Sequence, residues 1–205
     1  MTAIIDYGAG NLQSVEKALR HIGCGCTVAA DPAGLMSADS AVLPGVGAFG
    51  EAMAGLESRG LSGAIRDFVK TGRPFLGVCL GLQVLFESSE ESPGVKGLSL
   101  LPGKILRLPD DRGLKVPHMG WNSLDVKSPG WLLKGLSEEP YVYFVHSYYL
   151  RTEPERVSAT AEYGATIHAA VQKDNIAACQ FHPEKSGGVG LAILRNFAEY
   201  VRENT

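Results

Sequence analysis

Two groups of residues in this sequence have the types and the spacing for chemistry. The first is a cysteine between glycines, Gly77-Val78-Cys79-Leu80-Gly81. It follows a short apolar run, Phe75–Val78, that reads as a buried strand, and it precedes a stretch in which Leu82, Leu85 and Phe86 recur at helical steps. A thiol on such a strand-to-helix turn is the counterpart of the Gly-x-Ser-x-Gly nucleophile elbow. Small neighbours let the backbone take a strained turn, and the helix N-terminus favours thiolate over thiol. A buried core cysteine is the plain alternative, so a partner base decides. The second group supplies one: His182-Pro183-Glu184, after a predicted strand over 176–181. Pro183 biases His182 toward extended geometry, so imidazole and carboxylate can leave the strand end on the same side. A histidine can take a thiol proton and later protonate a leaving amine, while a carboxylate on its other nitrogen fixes tautomer and orientation. Cys79, His182 and Glu184 thus form a candidate triad for thiol acyl transfer.

Such chemistry needs an oxyanion hole and a scaffold. Ser40–Leu43 reads as another strand, followed by the glycine-rich loop Pro44-Gly45-Val46-Gly47. Its N–H groups can turn inward to supply one half of the hole, with the N–H of Leu80 as the other; an ordinary strand-to-helix turn is the alternative. At the start, residues 2–7 read as a strand and Gly8-Ala9-Gly10-Asn11 as a tight loop. A helix follows with Leu12, Val15, Leu19 and Ile22 on one face. The Gly-x-Gly does not make a dinucleotide site, because Gln13 stands at the third glycine position. Further helical stretches carry Phe49, Met53 and Leu56, and, after Gly60, Leu61, Ile65 and Phe68. The alternation predicts an α/β fold: a doubly wound, mostly parallel, flavodoxin-like sheet flanked by helices, with its site at the carboxyl ends of the strands. Residues 87–97 are acidic and turn-rich and should border the site. Short strands over 103–108, 121–126, 141–149, 156–162 and 166–171 should be antiparallel, as a side sheet or an edge of the main one. Val189, Ile193, Phe197 and Tyr200 mark a final amphipathic helix.

Composition bounds the rest. A chain of 205 residues, 45% hydrophobic, supports one substantial core and is expected to be one domain over 1–205. A net charge of -3 without a basic run argues against nucleic-acid binding, and no signal peptide or membrane span is read. The four cysteines, Cys24, Cys26, Cys79 and Cys179, show neither a Cys-x-x-Cys pair nor zinc spacing, so free thiols in the cytosol are expected, with no metal.

The elbow with Gln83, the Pro44-Gly45-Val46-Gly47 loop and His182-Pro183-Glu184 resemble the class I (triad) glutamine amidotransferases. Within these, Asp6-Tyr7-Gly8-Ala9-Gly10-Asn11-Leu12, Val116-Pro117-His118-Met119-Gly120-Trp121-Asn122, Tyr143-Phe144-Val145-His146-Ser147-Tyr148 and Lys185-Ser186 are similar to the glutaminase subunits of imidazole glycerol phosphate synthase, of the histidine pathway. The resemblance covers essentially the whole chain. It implies that Cys79 attacks the side-chain amide of glutamine, that His182 and Glu184 move the proton, and that Leu80, Val46 and Gly47 hold the oxyanion, the loop flipping to form the hole. Gly45, Gln83, Ser147 and Tyr148 would hold the substrate, and Glu91 would meet its ammonium. Gln83 could equally be a solvated helix position, and Glu91 part of a solvated acidic run.

The resemblance also implies a (β/α)8 cyclase partner that receives the ammonia in a heterodimer, and no cofactor. Pro117, Met119 and Trp121 fit a partner-facing anchor, since Met and aromatics concentrate in interface cores; a core strand with alternating burial is the other reading. Asn11, Tyr143 and Lys185 are similar to family positions at that interface. Three rivals remain. The chain could serve another synthase, of the anthranilate or pyridoxal phosphate type. It could be a different cysteine hydrolase or isomerase on a related fold, or a non-catalytic binding module.

Overall fold

The computed structural model describes residues 1–110 and 113–204. The first part of the chain alternates β1 (Thr2–Ile5), α1 (Leu12–His21), β2 (Cys26–Ala29), α2 (Pro32–Met36), β3 (Ser40–Leu43), α3 (Phe49–Ser58), α4 (Leu61–Lys70), β4 (Phe75–Val78) and the single turn α5 (Leu80–Gln83). Short strands then dominate: β5 (Ser88–Ser89), β6 (Lys104–Arg107), β7 (His118–Ser123), β8 (Asp125–Val126), β9 (Tyr141–His146), β10 (Tyr148–Arg151), β11 (Val157–Glu162), β12 (Thr166–Lys173) and β13 (Ile176–Cys179), before α6 (Gly187–Asn204).

The main sheet has eight strands in the order β2-β1-β3-β4-β13-β12-β11-β8. From β2 to β13 the pairings are parallel, and beyond β13 they are antiparallel. Strands β1, β3, β4 and β13 are buried at every residue, which is why each reads as a continuous apolar run rather than an alternating one. Alternate side chains still go to opposite faces. Ala3 and Ile5 join a cluster with Phe49, Leu56, Phe68 and Phe75, whereas Ile4 joins Leu19, Phe144, Phe181 and Phe197 on the other side. Helix α6 buries Ile193, Leu194 and Phe197 there, and Tyr200 stacks on Trp131 with ring centroids 4.2 Å apart.

This order positions the site. Strands β3, β4 and β13 are neighbours, so their carboxyl ends bring the 44–47 loop, Cys79 and His182 side by side. The acyl-transfer candidates come from three distant parts of the sequence and meet because parallel strands end on one edge.

Several elements differ from the sequence expectation. The helix after Cys79 stops at Gln83, although the apolar spacing continues to Phe86. The carbonyls that would accept the next helical bonds are taken by a returning segment: Leu98 N–H bonds Val84 O, Leu100 and Leu101 bond Leu85 O, and Ser99 bonds Phe86 O. Helix α2 carries too few residues to show a period; it starts at Asp31, whose side chain caps Gly34 N–H at 2.8 Å. The first strand ends at Ile5, short of Tyr7, and β13 ends at Cys179, short of Phe181. The run over 141–149 is two strands that part at Ser147, β9 pairing with β7 and β10 with β6. The run over 121–126 also divides: β7 begins earlier, at His118, and β8 leaves to pair with β11 in the main sheet. Both expectations for the antiparallel strands thus hold, some forming side sheets and some the main edge.

Candidate active site

Cys79 sits at the turn from β4 into α5 with φ +55° and ψ -109°, a strained conformation for a residue with a Cβ. Its own N–H bonds Cys179 O on the neighbouring strand at 2.8 Å, and its carbonyl accepts the N–H groups of Leu82 and Gln83 at 3.0 and 3.2 Å. The N–H groups of Leu80 and Gly81 therefore precede the first backbone bond of the turn, as an anion-binding helix start requires. Gly81 is needed for close approach: a Cβ there would overlap the Leu43 carbonyl oxygen at the end of β3. Gly45 is likewise pressed against the elbow, where a Cβ would lie 2.5 Å from the Tyr7 hydroxyl and 2.8 Å from Leu80 Cβ.

His182 and Glu184 follow β13, in and before a short 3-10 turn over Pro183–Lys185. The turn points both side chains inward, each 2% exposed, with His182 Nδ1 2.7 Å from Glu184 Oε1. The histidine backbone is held from both sides. His182 N–H donates to Tyr143 O at 2.9 Å, and the Ser186 hydroxyl donates to His182 O at 2.6 Å while accepting Tyr143 N–H at 2.9 Å. With Nδ1 committed to the carboxylate, Nε2 is left toward Cys79. Burial alone would lower the imidazole, but hydrogen bonding and charge from Cys79 and Glu184 outweigh it and push His182 up to about 10. That favours the imidazolium, the form that pairs with a thiolate. Nε2 makes no hydrogen bond among the described residues, and catalytic hydrogen bonds are often long or poorly aligned before substrate binds. Such contacts tighten when substrate arrives.

A cavity of about 300 Å³ opens over these groups, at the small end of the range for ligand pockets. Its lining gathers Cys79, His182, Val46, Gly47, Leu80, Gln83, Glu91, Ser147 and Tyr148, together with Pro117, Val145 and His146. Gly47 takes φ +103°, open to few residues other than glycine. Gln83 is 4% exposed, so it is not a solvated helix position. Its Nε2 donates to Tyr148 O at 2.9 Å and to Gln180 Oε1 at 3.1 Å. Glu91 borders the cavity and accepts Phe49 N–H on Oε2 at 2.7 Å, at the N-terminus of α3. Gln180 is a residue that the sequence reading missed. It is fully buried, with Nε2 3.7 Å from Cys79 Sγ. Lying two positions before His182 at a strand exit, it shares that residue's side, and this spacing was its only signal.

The model of the family "Glutamine amidotransferase class-I" matches residues 3–200 of this chain. The imidazole glycerol phosphate synthase subunit HisH of Methanothermobacter thermautotrophicus is 54% identical over 202 residues, covering 98% of this chain and 100% of that protein. The subunit of the same name from Desulfitobacterium hafniense is 50% identical over 205 residues, covering 100% and 96%. The chain belongs to the HisH family of class-I glutamine amidotransferases. A solved glutamine amidotransferase structure, 20% identical, superposes with a TM-score of 0.76 over 98% of both chains, which supports the fold.

In this family member a second buried pair stands behind the cavity wall. His118 Nδ1 lies 3.0 Å from His146 Nε2, and His146 Nδ1 lies 2.9 Å from Tyr148 O. His118 is also stacked between Phe144 and Tyr163, at centroid distances of 4.7 and 3.9 Å. Burial pushes His118 down to about 4; burial, then the charge of His118, pushes His146 down to about 3. His168 is lowered too, by burial and by Arg151. The unfolded chain takes up these protons near pH 6.5, whereas the folded chain excludes them until about pH 4 and 3 at His118 and His146. Stability is therefore expected to fall with pH below that point, by up to about 1.4 kcal/mol per pH unit for each histidine. His182 has the opposite sign: its contribution is complete below 6.5 and is lost only as pH rises through about 10. Thermal unfolding from about pH 7 to about pH 4.5 should show a steadily falling midpoint. A flat profile would mean that these histidines titrate normally.

The outer side of β7 shows the opposite character. Met119 is 62% and Trp121 56% exposed, so neither is a core residue. Trp121 meets Tyr143 edge-on at 6.1 Å, and Lys185 Nζ lies 5.9 Å from the Tyr143 ring. Pro117 is exposed and lines the cavity, so this exposed strand adjoins the site. Asn11 has a local role: its side chain caps α1 by accepting Ser14 N–H at 3.3 Å. Among the described residues no helix is long and apolar enough to cross a membrane, and no cluster of His, Cys, Asp or Glu is arranged to hold a metal ion.

Proposed function

We propose that the chain is the glutaminase subunit of imidazole glycerol phosphate synthase. The observation that carries the reading is a carboxylate-held histidine, Glu184 Oε1 to His182 Nδ1 at 2.7 Å, beside a cysteine on a strained elbow, with both opening on one cavity. Cys79 attacks the side-chain amide carbon of glutamine as a thiolate. The oxyanion rests on the Leu80 N–H and on the Val46–Gly47 loop. His182 gives its proton to the leaving nitrogen, so ammonia departs and a glutamyl thioester remains. Water then adds, with His182 as general base, and glutamate leaves as the thiol is regained. Gln83 and the Ser147–Tyr148 backbone hold the amino-acid end, and the Glu91 carboxylate faces its ammonium.

Ammonia released into water would be protonated and lost as a nucleophile. The chain therefore docks on a (β/α)8 cyclase in a cytoplasmic heterodimer and passes ammonia into it, where imidazole glycerol phosphate and an aminoimidazole carboxamide ribotide form. Met119, Trp121, Tyr143 and Lys185 supply an exposed aromatic and cationic patch for that contact. The test is glutamate release from glutamine by the chain alone, then with the cyclase subunit and its nucleotide ligand. Low release alone and a large rise in the mixture is expected. High release that the cyclase leaves unchanged would point to a different synthase.

A further inference from the structure

The reaction above uses neither His118 nor His146, although both are buried against the cavity wall, 3% and 6% exposed. Their partners fix their tautomers. Tyr148 O can only accept, so His146 carries its proton on Nδ1; its Nε2 must then accept from Nδ1–H of His118. Asn122 completes the series: its Nδ2 donates to Glu162 O at 3.0 Å and lies 3.4 Å from His118 Nε2, while its Oδ1 accepts Ser123 N–H. Every donor points the same way, from Asn122 through both imidazoles to one carbonyl.

That carbonyl has unusual support. Tyr148 and Arg107 are a non-hydrogen-bonded antiparallel pair, flanked by the bond from Leu108 N–H to Ser147 O at 2.9 Å, so Tyr148 O faces away from β6. On that side two side chains hold it, His146 Nδ1 and Gln83 Nε2, both at 2.9 Å. Gln83 Nε2 also donates to Gln180 Oε1. Both amide hydrogens of Gln83 are thereby committed, and its Oε1 is the polar atom left for a ligand in the cavity it lines.

We propose that His146 is a positioning residue for the substrate. Locked as its Nδ1–H tautomer by His118, it fixes the Tyr148 carbonyl and so turns Gln83 to present an acceptor to the amino acid. The proposal rests on the glutaminase reading of the site.

Two isosteres separate its nitrogens. An asparagine amide reaches the place of Nδ1, and a glutamine amide reaches the place of Nε2. In the complex with the cyclase subunit, His146→Gln should raise the KM for glutamine about tenfold, the weight of one lost hydrogen bond at the pocket, with little change in kcat. His146→Asn should recover most of that loss. Equal effects of the two variants, no effect of His146→Gln, or a fall confined to kcat would overturn the proposal. If the unaltered complex releases no glutamate at all, the glutaminase reading itself fails, a result distinct from these. Should His146→Gln not fold, the unaltered chain decides. Imidazole nitrogen NMR shifts should show His146 neutral and protonated on Nδ1 at neutral pH, and the Nε2–H tautomer there would overturn the proposal.

Discussion

Replacing Cys79 with alanine lowers glutamate release from glutamine by at least about 10⁴-fold. In the same complex, product formation from added ammonium stays at the level of the unaltered protein. The two halves of this result come from different chains. In the proposed reaction the thiol of Cys79, whose charge and hydrogen bonding act on His182, exchanges a proton with it, and the Leu80 N–H meets the oxyanion. Alanine keeps the elbow, because its backbone bonds to Cys179, Leu82 and Gln83 do not involve the sulfur. The ammonia-using chemistry is proposed for the cyclase and needs no thiol here. Cys79→Ser should fail almost as completely, since a hydroxyl beside this histidine is a far weaker acid than a thiol. Continued glutamate release by either variant would remove Cys79 from the role of nucleophile. Loss of the ammonium-dependent reaction as well would mean that the substitution breaks the complex rather than the chemistry.

The second large effect is on the fold. Gly81→Ala drives a methyl group into the Leu43 carbonyl oxygen, which is backbone at the carboxyl end of β3, a central strand paired with β4. No side chain can swing aside, so β3 or the elbow must move. A destabilisation of roughly 3 kcal/mol or more is expected, equivalent to about 6–12 °C in the unfolding midpoint for a chain of this size. Glutamine hydrolysis should fall further than the loss of folded protein explains, because the shift reaches the residue two positions after the nucleophile. Urea unfolding and activity per folded molecule check both parts. An unchanged midpoint would mean that the approach of α5 to β3 is looser than described.

The central strands were legible because each carries a short, mostly apolar run buried on both faces, and β3 and β4 have the predicted ends. The elbow and the His182-Pro183-Glu184 turn were legible because their neighbours in sequence dictate their geometry. Non-local partnership was not. The end of α5 at Gln83 is set by N–H groups of residues 98–101, and the split of the 141–149 run is set by which strand lies alongside each half. The polar series behind the cavity was half visible. Once Met119 and Trp121 are taken as one face of a strand, alternation sends His118 and Asn122 to the other. Nothing in the sequence says that His146 waits there.

The parting of β9 and β10 at Ser147 gives the cavity over Cys79 a mechanical character. Residues before it are bonded into a two-stranded sheet with β7, which carries the exposed Met119 and Trp121, and residues after it into a three-stranded sheet with β6 and β5. Ser147 and Tyr148, which line the cavity, are the joint between two plates. A load applied to the outer plate by anything that grips β7 is felt first at that joint. A tilt too small to disturb either hydrogen-bonded sheet would still alter the width of the pocket.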